Sequence, residues 1–133
     1  MLNFDRPTRI TRPKLHAARI VVDTLFWPAL FLVIWGELGP PSDIVGGVND
    51  KVLHFTAYFG LAAMAAAGLK TRRSALIAVV ALILFGGALE IVQGFVGRDM
   101  SIFDELANAA GATIGGVLGR ALIEPLRRRF ARD

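Results

Sequence analysis

Cysteine is absent from the 133 residues, histidine occurs twice and tyrosine once. The first absence excludes a disulfide framework, a thiolate zinc site and a cysteine nucleophile, and leaves the redox compartment unmarked. Any chemistry must come from oxygen and nitrogen groups. Charge is also scarce, at 20% of residues, and is pushed into short blocks between long apolar stretches, whereas a water-soluble domain scatters it along the chain. No internal repeat or low-complexity segment occurs, so disorder, a collagen helix and a coiled coil are excluded. What is present is apolar: 54% of residues, with a mean hydropathy of +0.54. That balance points to a membrane. The net charge of +4 and pI near 10.3 would suit a nucleic-acid binder. The basic residues flank apolar spans instead of patterning one helix, so no nucleic-acid partner is expected.

A helix that crosses a bilayer needs about 20 mainly apolar residues at about 1.5 Å each. Four segments approach that length: 20–36, 51–69, 74–96 and 102–123. The reading is an all-α polytopic membrane protein, a bundle of four transmembrane helices. A basic segment, 1–19, precedes the membrane domain, 20–123, and a basic tail, 124–133, follows it. Pro28 removes a backbone donor from the first span and predicts a kink or locally thinned bilayer there. The fourth span is rich in Ala and Gly, which suits packing against other helices better than facing lipid. No small-x-small cleavage site follows Trp35, so the first span reads as a retained helix.

Orientation follows from Lys and Arg in the short connections, which are kept on the cytoplasmic side. Thirteen of the 15 basic residues lie before the first span, between the second and third, or in the last turn of the fourth and the tail after it, leaving Lys51 and Arg98 for the opposite side. The expected location is the inner (plasma) membrane with both termini cytoplasmic and the loop from Pro40 to Asn49 outside. Seven of the 11 acids then collect at the outer side: Glu37, Asp43, Asp50, Glu90, Asp99, Asp104 and Glu105. The basic tails most simply hold the helices in register, with attraction to anionic lipid as the functional alternative.

Ionisable groups within or at the mouth of an apolar span are costly to place there and therefore mark candidate sites. On the second span Asp50, His54 and Tyr58 recur every fourth residue and share a face at its outer end. On the third, Glu90 and Gln93 lie in the outer part. On the fourth, Asp104 and Asn108 share a face at the outer start, with Arg98 in the preceding turn. Three helices thus bring polar groups to one depth. Gly111, Gly115 and Gly119 continue the Asp104 and Asn108 face and permit close approach, and Gly86 and Gly94 lie one turn either side of Glu90. Ser101 and Asp104 also fit a capping box, in which case Asp104 does no more than start a helix. Glu90, flanked by Ala88, Leu89, Ile91 and Val92, must find Arg98, Lys51, His54 or a proton. Asp23 is most simply the ion-pair partner of Arg19.

The string Asp50-Lys51-x-x-His54-Phe55 with Tyr58, then Glu90-x-x-Gln93, then Arg98 and Asp104-x-x-x-Asn108-x-x-Gly111 resembles the VanZ-like family of small membrane proteins. The resemblance covers about residues 48–119; the first span agrees only in hydrophobicity. It implies a small bacterial helical membrane protein of the cell envelope, and the matched residues as its site. It implies little chemistry.

Three functions follow. In the first, the site binds or modifies a membrane lipid or cell-envelope molecule at the outer face: Lys51, Arg98 and His54 hold an anionic head group, with Asp50, Tyr58, Gln93 and Asn108 as further binding residues. Glu90, His54 and Asp104 then form the catalytic set. In the second, the same groups are interhelical glue and the fourth helix docks a second copy or another membrane subunit. In the third, Glu90 serves a proton-coupled carrier. No nucleophile with a His–acid partner stands out, so enzyme activity is left open. No metal and no other cofactor are expected, a cation on His54, Glu90 and Asp104 being the weakest reading.

Overall fold

The computed structural model describes residues 13–39 and 49–131, and side chains within 19–39 and 49–128. Four helices follow one another: α1 (Pro13–Leu38), α2 (Asp50–Gly68), α3 (Arg72–Phe95) and α4 (Ile102–Ala131). Among the described residues, three stretches are long and apolar enough to cross a membrane: Arg19–Leu38, Arg72–Phe95 and Ile102–Arg128. The second helix does not qualify. Its 19 residues carry Asp50, Lys51, His54 and Tyr58 in the first nine, and Ala and Gly supply much of the rest.

Two boundaries differ from the sequence expectation. α1 begins at Pro13, inside the basic segment, and runs unbroken through Pro28. Pro28 leaves the Thr24 carbonyl without its helical donor, and Pro125 does the same to Ala121 in α4. α4 nonetheless continues to Ala131, so most of the tail is helical. The outer loop expected at Pro40–Asn49, with Asp43, lies outside the described residues except for Asn49, as do Arg6, Arg9 and Arg12. Asn49 caps α2, accepting the Lys51 amide at 3.0 Å.

The bundle runs up and down. Glu37, at the end of α1, meets His54 at the start of α2, and Gly68, at the end of α2, lies against Val22 and Asp23. α2 and α4 are consequently parallel, and their contact is the most extensive in the bundle. Its cause is the row of small residues. A Cβ added at Gly111, Gly115 or Gly119 would strike the carbonyl oxygens of Phe55, Phe59 and Ala63 respectively, so the two backbones touch at three successive turns. Tyr58, Leu61, Ala62, Leu82 and Ala112 form the buried core.

The outward surface is apolar almost throughout, with Trp27, Phe31, Leu76, Leu84, Phe95 and Leu122 exposed. In a water-soluble protein such a surface would be a liability. It is the surface that a helical bundle placed in a membrane would turn to lipid. At the end remote from Asp50, Arg120 donates to the carbonyls of Leu69 and Lys70, and Arg127 to those of Ala67 and Lys70. The last carbonyls of a helix lack internal partners, and here Arg127 satisfies that of Ala67 in the last turn of α2, while both arginines hold the chain just beyond it. Arg19 and Asp23 pair at 3.5 Å, one turn apart, as expected.

Candidate functional site

A polar cluster occupies the end of the bundle where α1 stops and α2 and α4 start. Its centre is His54, 7% exposed. His54 Nδ1 lies 3.1 Å from Asn108 Oδ1, 3.6 Å from Glu37 Oε1 and 3.9 Å from Glu90 Oε1; His54 Nε2 lies 3.8 Å from Asp50 Oδ1. One imidazole therefore touches side chains from all four helices. Lys51 Nζ reaches Asp104 Oδ1 at 3.3 Å.

The helical spacing explains the meeting. Asp50, His54 and Tyr58 lie on one face of α2, and the glycine row holds that face against Asp104 and Asn108 of α4. Gly86 of α3 completes the space. A Cβ there would come within 2.9 Å of Glu105 Oε2, 3.0 Å of Asn108 Nδ2 and 3.1 Å of the Tyr58 ring. Asn108, fully buried, donates from Nδ2 to Glu105 Oε2 at 3.3 Å. A carboxylate can only accept, so this bond turns the amide oxygen toward His54. His54 Nδ1 then lies where it can donate to Asn108 Oδ1, with Nε2 turned toward Asp50.

Of the nine residues read from the sequence, Asp50, Lys51, His54, Tyr58, Glu90, Asp104 and Asn108 gather in or beside this cluster. Gln93 lies at its edge, donating from Nε2 to the Glu37 backbone carbonyl at 3.0 Å and so holding α3 to the end of α1. Arg98 does not face the cluster. Its guanidinium donates to the carbonyls of Gly36 and Gly39, at 2.9 and 3.1 Å, where unsatisfied helix-end carbonyls attract a cation. Of the partners expected for Glu90, namely Arg98, Lys51, His54 or a proton, the structure brings His54 beside it and adds a backbone amide. Glu90 Oε2 accepts the Ser101 amide at 3.0 Å, and Oε1 faces His54. That amide is the one a capping box would give to Asp104, so Asp104 is released from capping and turns toward Lys51.

Two members were missed as site residues: Glu37 and Glu105. Both counted among the outer acids, but Glu37 ends a span that carries no other polar pattern. Glu105 stands three residues before Asn108, a spacing that places the two side chains together on a helix.

The cluster is rich in unpaired acceptors. Both carboxylate oxygens of Glu37, Glu90 Oε1, Asp104 Oδ1 and the Tyr58 hydroxyl are buried without a hydrogen-bond partner. A separate cavity of about 690 Å³ lies between α3 and α4 toward the opposite end, lined by Leu76, Val79 and Gly116 with Arg72, Arg120 and Arg128 at its rim. None of the sequence-derived site residues lines it. No family model, curated protein or solved structure matches the chain.

Proposed function

We propose that the chain is a four-span plasma-membrane protein of VanZ-like type whose polar cluster, at the outer face, binds or modifies a lipid or cell-envelope molecule. The observation that supports this is a buried cluster, rich in carboxylates, to which all four helices contribute, at the end away from the arginine-rich helix ends. Side chains of this kind are costly to keep within a bundle and are retained where they act. The four-span topology draws on α2 lying parallel to α4, from Asp50 beside the Asp104 turn to Gly68 beside Arg127. It shares the depth of a helix that is long enough to span. Reporter fusions after Arg129 are expected to signal a cytoplasmic C-terminus, and fusions within 41–48 an outer loop; an external signal after Arg129 would overturn the topology.

His54 and Asp104 are proposed as the acting groups with Glu90, and Lys51 as the cation that meets an anionic head group, a role in which Arg98 no longer takes part. The test is a comparison of extracted lipids and envelope precursors by mass spectrometry between wild-type and deletion strains. One head-group class is expected to change on deletion, to be restored by the wild-type gene, and to stay altered with His54→Ala or Asp104→Asn. Equal restoration by all three favours the second reading, structural glue between helices. A specific observation supports that alternative: His54, Glu90 and Asn108 are nearly closed to solvent, at 7%, 3% and 0% exposure.

A further inference from the structure

The cluster holds more acidic groups than basic ones. Glu37, Asp50, Glu90, Asp104 and Glu105 surround a single imidazole and a single lysine, because Arg98 is turned to the end of α1. Ionised carboxylates in a low-dielectric site need a partner of opposite charge or a proton. On one side of His54 the groups take a particular arrangement. One ligand atom from each of Asp50, His54 and Asp104 lies within 4.8 Å of the other two. Two further observations, independent of the acidic count, point to what belongs between them.

The first is the orientation of His54. The chain of contacts from His54 Nδ1 to Asn108 Oδ1, and from Asn108 Nδ2 to Glu105 Oε2, holds the ring with Nε2 turned toward Asp50. Metal-binding histidines are held in this way, with the second ring nitrogen donating to an acceptor of the surrounding shell. The second is Asp104. It is 5% exposed, and its Oδ1 lacks a hydrogen-bond partner, the Lys51 ammonium standing 3.3 Å away outside hydrogen-bonding geometry. Lys51 is half exposed on a flexible stem and can swing aside.

We infer that Asp50, His54 and Asp104 bind a divalent transition-metal ion, of the Zn²⁺ or Mn²⁺ kind, through His54 Nε2 and one carboxylate oxygen from each aspartate. Tetrahedral ligands at about 2.1 Å from zinc stand about 3.4 Å apart, so each side chain needs to move by less than about an ångström. One imidazole with two carboxylates suits zinc or manganese better than the all-oxygen shells of magnesium and calcium. Three protein ligands leave a position open, and exposed Asp50 lets the ion arrive from the outer surface. Such an ion would supply the positive charge that an anionic head group requires and that Arg98 does not provide. The inference rests on the proposed function only for the site's location, and its test contains no lipid substrate, so the two fail separately.

The full chain, purified in detergent and stripped with EDTA, is desalted after incubation with Zn²⁺ or Mn²⁺, and bound metal is measured by mass spectrometry; the spectrum of free Mn²⁺ gives the affinity. One ion per chain is expected for wild type and for Glu124→Gln, whose carboxylate lies at the other end of the bundle. Asp50→Asn, at an exposed position where folding is not at stake, is expected to weaken binding at least tenfold. Asn108→Ala, which frees the imidazole, is expected to weaken it by about 10- to 100-fold. Wild type that retains neither metal overturns the inference, as does Asp50→Asn that binds as tightly as wild type. Equal retention of Mg²⁺ or Ca²⁺ overturns the assignment to the transition-metal kind.

Discussion

Gly115→Leu is expected to abolish assembly of the bundle. A Cβ at this position would strike the Phe59 carbonyl oxygen and stand 2.8 Å from the Phe59 Cα, so the obstacle is backbone, which cannot turn aside as a side chain can. Neighbouring Gly111 and Gly119 meet α2 in the same way, against Phe55 and Ala63, so the helices cannot pivot about one end to admit a new side chain. Overpacking a well-filled interior costs about 1–3 kcal/mol and occasionally more, and a leucine at a backbone-to-backbone contact belongs at or beyond the upper figure. Size-exclusion chromatography in mild detergent should show an aggregated or poorly expressed protein, and Gly115→Ala a smaller loss of thermal stability. Gly36, around which a Cβ meets nothing within 4 Å, is the control, with Gly36→Ala expected to behave as wild type. A monodisperse Gly115→Leu protein of unchanged melting temperature would mean that α2 and α4 do not touch along this row.

This row was legible in the sequence because glycines four residues apart in an apolar helix line up on one side and bare the backbone to a neighbour. The convergence of His54 with Asn108 was legible for a related reason: helical spacing fixes the face, and the glycines fix what that face meets. The fate of Arg98 was not. Sequence places it near Glu90, but whether a guanidinium in a turn goes to a carboxylate or to helix-end carbonyls depends on where the end of α1 comes to rest, and nothing in the first span encodes that contact. Glu37 was missed for the same reason, since it joins the cluster only through that packing. The weakness of α2 as a membrane span was readable in its composition, because the polar residues that build the cluster are the ones that lower its hydropathy. The site and the shortfall are one fact.

Glu90→Gln is the substitution expected to separate action from architecture. The amide retains a carbonyl oxygen where Glu90 Oε2 accepts the Ser101 N–H, so the link between α3 and the start of α4 survives. The second oxygen, unpartnered and 3.9 Å from His54 Nδ1, becomes an amide nitrogen, and the carboxylate beside the imidazole is gone. Shape and burial are nearly unchanged, so expression and the detergent melting temperature should stay close to wild type, within about 1 kcal/mol for one retained neutral hydrogen bond in place of a charged one. If Glu90 moves a proton or stabilises charge on His54 during the reaction, activity should fall by about a hundredfold or more, the usual weight of a positioned acid or base. In a complementation assay the variant should insert and accumulate yet fail to restore whatever deletion of the gene removes. A Glu90→Gln gene that complements in full would leave the carboxylate with no task beyond the Ser101 hydrogen bond, and the cluster would then stand as interhelical glue.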